Sequence, residues 1–149
     1  MTQASYSYDR TDSDRYVFTS IGEKHIEKAV IFQQTRDKNI INIAFGDLKK
    51  DGSIDDKVSS NNGDIIRVLV TVIEILKDFT QKHPNKEILL AGSTPGRTRL
   101  YTRILKTYYH EFSKDFRISA LIEADNRLER IPFDPCLHIE YFAFLIKRF

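Results

Sequence analysis

Three segments rich in apolar residues, separated by short polar stretches, mark the first third of the chain. Residues 15–22, 25–34 and 39–48 are rich in β-branched and aromatic side chains, which is typical of strands. The polar separators GEK and TRDKN have the length and composition of hairpin turns. The pattern therefore predicts three consecutive antiparallel strands, preceded by a flexible tail at residues 1–14.

A helical repeat of apolar positions follows these segments after a polar loop. Between residues 64 and 84 the main apolar positions are separated by four, three, four and three residues, as on the buried face of an amphipathic helix. These positions are Ile65, Leu69, Val72, Leu76 and Phe79. Asp64 stands where a cap or a favourable charge is expected, and Pro84 closes the segment. We therefore expect one long helix here.

The second half of the chain combines short apolar runs with one more helical segment. The predicted strands are EILLAG (87–92), RISALIEA (117–124) and LHIEYFAFLI (137–146), the last being a strand or a mixed apolar segment. Between the first two, the stretch AGSTPGRTRLYTR (91–103) predicts a turn that leads into a helix. Ser93 or Thr94 can cap that helix, and Pro95 fits its first turn.

The predicted order of elements is β-β-β-α-β-α-β, followed by a carboxy-terminal element. Two strand–helix–strand units require parallel strands joined by crossovers. We expect a single α/β (α+β mixed sheet) domain over residues 15–149, in which parallel strands extend a three-strand antiparallel meander. Ribonuclease-H-like folds have this order of elements, but residues 15–22 contain no acidic side chain. A two-metal nuclease is therefore not predicted.

Composition and charge narrow the class of protein. The chain has 149 residues, of which 41% are hydrophobic and 30% charged, as in ordinary globular domains. A net charge of +2 does not by itself indicate nucleic-acid binding. One cysteine, a polar amino terminus and the lack of a long apolar run predict a cytoplasmic protein that does not contact a membrane.

The turn at residues 92–99 is the main candidate ligand site. A helix start presents unpaired backbone N–H groups to an anion, and arginines add forked donors. The candidate ligand-binding residues here are Ser93, Thr94, Gly96, Arg97, Arg99 and Arg103. The alternative is an ordinary capped helix with a solvated basic side. The pattern of a phosphate-binding P-loop is missing from this stretch, so nucleotide hydrolysis is not predicted.

The segment before the first helix is a second candidate. Asn61, Asn62 and Asp64 surround Gly63 and are typical of a tight turn into a helix. The functional alternative is that these polar side chains also bind the ligand, facing the turn at residues 92–99. The sequence leaves open whether the two segments are adjacent.

Metal-binding and catalytic patterns are weak. Cys136, His138 and Glu140 alternate on one face of the last predicted strand, but they lack a second ligand pair. A partly exposed strand face explains them better. We therefore predict no metal site. The sequence identifies no cofactor and no catalytic residue, and it leaves open whether the protein is an enzyme.

Three strings of the sequence resemble a known family. FGDLKKDGSIDDK, SSNNGDIIRVLVTVIEIL and AGSTPGRTRLYTRIL resemble a family of short, uncharacterised bacterial proteins, mainly from Bacteroidetes, that form a domain of unknown function. The resemblance extends from about Tyr16 to Glu123, and its distinctive motifs are SNNGD and GSTxxRTRLY. It implies a single cytoplasmic domain with shared functional positions in segments 61–64 and 92–101. It implies no activity.

Two functions follow from these patterns. The first is binding of a phosphate-bearing ligand, either a nucleotide or a nucleic acid, at the turn 92–99. The second is a protein-interaction module that uses the apolar carboxy-terminal residues 141–149, for example in a bacterial defence or toxin–antitoxin system. A homodimer formed through residues 137–149 would belong to this second class.

Overall fold

The chain divides into two compact units, each built from two separate segments. The structure is a computed structural model that describes residues 5–55 and 62–149. Unit 1 comprises Met1–Gln33 and Ile43–Lys82, and unit 2 comprises Gln34–Asn42 and His83–Phe149. A single domain was expected from residue 15 onward, and that expectation stays a prediction.

Nine strands and three helices are formed by the described residues. The strands are β1 (Asp9–Asp12), β2 (Arg15–Ile21), β3 (His25–Gln34), β4 (Ile40–Leu48), β5 (Ile54–Asp55), β6 (Glu87–Leu90), β7 (Phe116–Ala124), β8 (Arg127–Pro132) and β9 (Ala143–Arg148). The helices are α1 (Ile65–Lys82), α2 (Pro95–Thr107) and α3 (Tyr109–Asp115). No helix within the described ranges has the length and apolar character needed to cross a bilayer.

Unit 1 contains the predicted antiparallel meander and the first helix. β2 pairs with β3 so that Tyr16 lies opposite Val30, and both side chains are fully buried. Alternate positions of β2 are buried, as in a strand that turns one face to the core. The ring of Phe32 on β3 stacks on Phe79 of α1 at a centroid distance of 3.8 Å. The helix therefore packs on the sheet through the apolar positions that its spacing predicted.

The start of α1 differs in one residue from the predicted apolar stripe. Ile65 is 48% exposed, whereas Leu69, Val72, Leu76 and Phe79 are buried. Ile65 is the first helical residue. The buried face therefore begins one turn later than the spacing alone indicated.

The predicted flexible tail is wrong for part of residues 1–14. Asp9–Asp12 form β1, which pairs with β2, and Tyr6 is only 4% exposed. The N–H of Tyr6 donates to Thr71 Oγ1 at 2.8 Å, and its ring stacks on Phe18. The sequence signal is weak because DRTD is a wholly exposed edge strand without an apolar side chain.

Unit 2 contains β6, β9, β7 and β8 in that order, with residues 40–42 at the start of β4 beside β6. β4 pairs in parallel with β6, whereas β9 is antiparallel to both β6 and β7. β6 and β7 therefore run in the same direction, but the last strand of the chain lies between them. The predicted class, α/β with a mixed sheet, is confirmed. Direct pairing of the two strands that flank α2 is not observed.

Three local differences in unit 2 affect the site. The last strand begins at Ala143 instead of residue 137, and residues 137–142 lie outside regular secondary structure. The helix predicted after the turn ends at Thr107, and Tyr108 separates it from a second short helix, α3. The hairpin strand β8 was not predicted, because five of its six residues are exposed and it lacks an apolar repeat.

Candidate functional site

The turn between β6 and α2 is built as a capped helix start. Thr94 has φ −136° and ψ 160°, and its hydroxyl accepts a hydrogen bond from the N–H of Arg97 at 3.2 Å. Pro95 occupies the first turn, where its missing N–H costs nothing. The predicted cap and proline positions are confirmed.

Gly92 fixes the close approach of the strand end to the helix. A Cβ at this position would lie 2.4 Å from the N atom of Thr98 and 2.6 Å from its Oγ1. The N–H of Gly92 donates to that same hydroxyl at 3.1 Å, and Thr98 is only 5% exposed. Since only a glycine fits here, the path of the turn is set by its first residue.

A cavity of about 460 Å³ lies against this turn. Its lining is Ala91, Gly92, Ser93, Thr94, Pro95, Thr98, Glu123, Glu140, Tyr141 and Phe142, all in unit 2. One wall is thus the turn itself. The others are the end of β7 and the loop that precedes β9. This volume lies within the range of small-molecule sites, about 300–1,000 Å³.

The helix start offers a backbone donor beside the cavity. Pro95 has no N–H, and the N–H of Arg97 is already used by Thr94. The N–H of Gly96 has no acceptor within residues 5–55 and 62–149. Ser93, Thr94 and Gly96 are exposed. The positive end of the helix dipole therefore faces solvent through a free backbone donor.

The arginines of α2 are placed differently from one another. Arg99 Nε lies 3.2 Å from Glu140 Oε1, and these side chains are 62% and 75% exposed. Arg97 is half-buried, and Arg103 is exposed. One turn further, Lys106 Nζ donates to the carbonyl oxygen of Leu137 at 2.7 Å. The basic side of α2 thus contacts the loop 137–140.

The cavity wall opposite the turn carries acidic and aromatic groups. Glu123 and Glu140 are exposed carboxylates, and Phe142 is 49% exposed. Burial raises the pKa of the Tyr141 hydroxyl, and the charge of Asp134 raises it further. Tyr141 is therefore neutral at physiological pH and donates to the carbonyl oxygen of Asp134 at 3.4 Å.

Asn62, at the start of α1 in unit 1, is bonded on every polar atom of its side chain. It is 4% exposed, and its Oδ1 accepts from the N–H of Lys24 at 2.8 Å. Its Nδ2 donates to the carbonyl oxygen of Lys24 at 2.7 Å and to Ser20 Oγ at 3.0 Å. The amide thus ties the segment before α1 to the β2–β3 turn.

Asp64 completes the same network. Its Oδ2 accepts from the hydroxyls of Tyr6 at 2.5 Å and Ser20 at 2.6 Å. Gly63 has φ 79°, a backbone conformation that favours glycine, as the predicted tight turn requires. The predicted ligand role of Asn62 and Asp64 stays a prediction, and that of Asn61 lies outside the described residues.

The alternation of Cys136, His138 and Glu140 does not lie on a strand. All three residues are exposed in the segment between β8 and β9, and Glu140 contacts Arg99. Within the described part of the chain, no group of three or more His, Cys, Asp or Glu side chains is arranged to hold a metal ion.

Sequence reasoning missed the far wall of the cavity. Glu123, Tyr141 and Phe142 contribute to it because β9 lies between β6 and β7, which brings the loop before β9 to the turn. No spacing in the sequence indicates that β9 lies between these two strands. The one available signal was that Glu123 lies at the end of one predicted strand and that the turn follows another.

Comparison with known protein families shows to which family this chain belongs. A model described as a family of unknown function, DUF6934, matches residues 2–149. The chain belongs to the DUF6934 family. The match extends over both units, so the cavity in unit 2 and the polar network in unit 1 are parts of one DUF6934 chain. No curated protein and no solved structure gave a match.

Proposed function

We propose that the cavity at the start of α2 binds a small phosphate-bearing ligand such as a nucleotide. The observation that carries this proposal is the free N–H of Gly96 at a helix start that borders a cavity of ligand size. The phosphate lies against Ser93, Thr94 and Gly96, where backbone donors and the helix dipole favour negative charge.

A single nucleotide fits this cavity better than a nucleic acid does. Glu123 and Glu140 are part of the wall, and a long polyanion would have to pass both carboxylates. A mononucleotide places only one end at the turn. Its base then lies against Tyr141 and Phe142, since aromatic rings are stacking surfaces for bases.

Arg99 is available to the ligand despite its ion pair. Exposed pairs of this kind stabilise a fold by about 0–1 kcal/mol, and both Arg99 and Glu140 are mostly exposed. A charge-assisted hydrogen bond to phosphate is worth about 1.5–3 kcal/mol. Arg99 therefore exchanges Glu140 for a phosphate oxygen when the ligand enters.

Calorimetric titration tests the proposal directly. The probes are inorganic phosphate, a panel of nucleoside monophosphates to triphosphates, and a short oligonucleotide. Arg97→Ala and Arg99→Ala should each weaken nucleotide binding by roughly 10- to 150-fold, the loss of one charge-assisted bond. Lys114→Ala, at an exposed position on α3, is the matched control and should bind like the wild type.

Removing the negative charge of Glu140 should strengthen binding of the phosphate ligand. Glu140→Gln frees Arg99 and removes a negative charge from the cavity wall, so affinity for the phosphate ligand should rise. Unchanged affinity in this variant, with Arg97→Ala and Arg99→Ala also binding like the wild type, would show that the basic side of α2 has only a structural role.

The second candidate function is a protein-interaction surface, and exposed apolar side chains favour it. Leu137, Ile139 and Phe142 are 42%, 42% and 49% exposed. In the predicted surface at residues 141–149, residues 143–146 are buried in β9, whereas Phe142 and Phe149 are 49% and 71% exposed. A partner would bind the exposed apolar side chains of the loop 137–142 and of Phe149. Leu137→Ser with Ile139→Ser should abolish that interaction without changing nucleotide affinity.

A further inference from the structure

β8 is the last strand of the unit 2 sheet and has one unpaired edge. It pairs with β7 on one side, and no other strand among the described residues pairs with it. Arg127, Leu128, Glu129 and Arg130 are all exposed. Unpaired edge strands accept another strand unless charge or shape prevents it. The side chains of β8 therefore decide what this edge can bind.

The hairpin turn determines which backbone groups point outward. Ala124 lies opposite Arg127, and the two residues between them, Asp125 and Asn126, have φ 52° and 63°. Positive φ at both positions defines a type I′ turn, in which the N–H of Arg127 bonds to Ala124. Because bonding direction alternates along an antiparallel strand, the N–H and C=O of Leu128 and Arg130 point away from β7.

We propose that β8 pairs antiparallel with β8 of a second copy of this chain, in a two-fold symmetric register centred on Leu128. Leu128 lies opposite its own copy in this register, and the two residues exchange both backbone hydrogen bonds. Leu128 is 51% exposed in the single chain. The two leucine side chains therefore cover each other on one face of the joined sheet.

Charge complementarity selects this partner and this register. When Leu128 is the centre, Arg127 lies opposite Glu129 of the second copy, and the symmetry repeats this pair. Centring on Glu129 would place two glutamates opposite each other, and centring on Arg130 would do the same with two arginines. Like charges directly opposite destabilise a sheet. Of the registers that the outward-facing groups allow, only the one centred on Leu128 pairs opposite charges.

The size of this contact predicts a weak dimer. Each copy contributes one strand of six residues. The area that such a strand buries is far smaller than the roughly 800 Å² per partner of a standard stable interface. A dissociation constant on the order of 100 µM is therefore expected. This dimer does not use the cavity and is independent of the proposed ligand.

A charge-swap series measured by sedimentation equilibrium tests the dimer. Over a protein concentration range around the expected dissociation constant, the wild type should form dimers reversibly. Arg127→Glu and Glu129→Arg should each weaken dimerisation by roughly ten- to a hundredfold, because each creates two like-charge pairs. The double variant with both changes restores opposite charges and should dimerise like the wild type. Lys114→Glu, at an exposed position on α3, controls for net charge.

Hydrogen exchange provides a second readout that needs no substitution. The amides of Leu128 and Arg130 in the wild type should exchange more slowly as protein concentration rises, while the amide of Glu129, which faces β7, should not change. A wild type that stays monomeric over the whole range overturns the proposal, and so does a dimer that Arg127→Glu leaves intact. If the wild type stays monomeric, the charges of β8 protect the edge from association.

Discussion

The segments before α1 and α2 contain the same kinds of residue but have different roles. Before α1, Asn62 is buried, and its side chain is bonded to Lys24 and Ser20, while Asp64 binds Tyr6 and Ser20. Before α2, Ser93 and Thr94 are exposed and border a cavity. We call the first the closed start and the second the open start.

The difference shows that turn chemistry alone does not indicate a binding site. Both segments combine glycine with small polar residues, because such residues cap helices and form tight turns. What distinguishes them is where their polar atoms bond. In the closed start those atoms stabilise the fold, whereas in the open start the N–H of Gly96 has no acceptor within the described residues.

The largest expected effect is at the closed start. Asp64→Ala leaves the buried hydroxyl of Ser20 without its acceptor and leaves the Tyr6 hydroxyl only the carbonyl oxygen of Ile21 at 3.2 Å. An unsatisfied buried donor costs about 1–3 kcal/mol, and the bond of Tyr6 to a charged acceptor is lost as well, so the free energy of unfolding should fall by roughly 2–4 kcal/mol. Urea unfolding followed by circular dichroism measures this. A loss below about 0.5 kcal/mol, the range of ordinary surface substitutions, would mean that the start of α1 is not closed.

Substitutions at the two glycines of the open start should have a smaller effect on the free energy of unfolding. Gly92→Ala forces a Cβ into the backbone of Thr98 and should lower the free energy of unfolding by about 1–3 kcal/mol. Gly96→Ala is the matched control, because the nearest atom to its Cβ would be Thr94 Oγ1 at 3.8 Å. A helical alanine there should be neutral or stabilise by up to about 1 kcal/mol. Equal losses in both variants would show that the turn is not held by Gly92.

Alkaline pH should lower the free energy of unfolding by a still smaller amount, through two tyrosines of unit 1. Burial, followed by the nearby Asp78, raises the pKa of Tyr8 to about 12, and burial, followed by the hydrogen bond to Asp64, raises the pKa of Tyr6. A tyrosine with a raised pKa stabilises the fold fully below its unfolded pKa of about 10. That contribution is lost as pH rises through the folded pKa.

The free energy of unfolding should therefore decline between about pH 10 and 12. The chain contains no tryptophan, so circular dichroism in a urea series at each pH is the suitable measurement. Tyr8→Phe removes one of the titrating hydroxyls and should make the decline shallower. A decline as steep in Tyr8→Phe as in the wild type would assign the pH dependence to other groups.

The sequence predicts those parts of the fold where each element carries its own apolar pattern. β2 alternates buried and half-buried positions, and α1 has a helical stripe from Leu69 to Phe79. β1 and β8 carry no such pattern, because edge strands whose residues are mostly exposed are held by backbone hydrogen bonds. The place of β9 depends on pairing between distant segments, which no local spacing encodes.

Half of the candidate site could be predicted in the same way. The cap Thr94, Pro95 and the basic side of α2 follow from local turn and helix chemistry. Glu123 and Phe142 reach the cavity only through the long-range order of the strands. The internal bonding of Asn62 and Asp64 likewise depends on Ser20 and Tyr6, which are distant in sequence.

A titration followed by amide resonances tests most directly whether the start of α2, unlike that of α1, binds a ligand. Isotope-labelled protein is titrated with a nucleoside monophosphate and, separately, with inorganic phosphate. The amide of Gly96 should shift saturably and by far the most with the nucleotide, while the amide of Gly63 at the start of α1 should stay unchanged. No saturable shift at Gly96, or a larger one at Gly63, would contradict the assignment of the binding site to the start of α2.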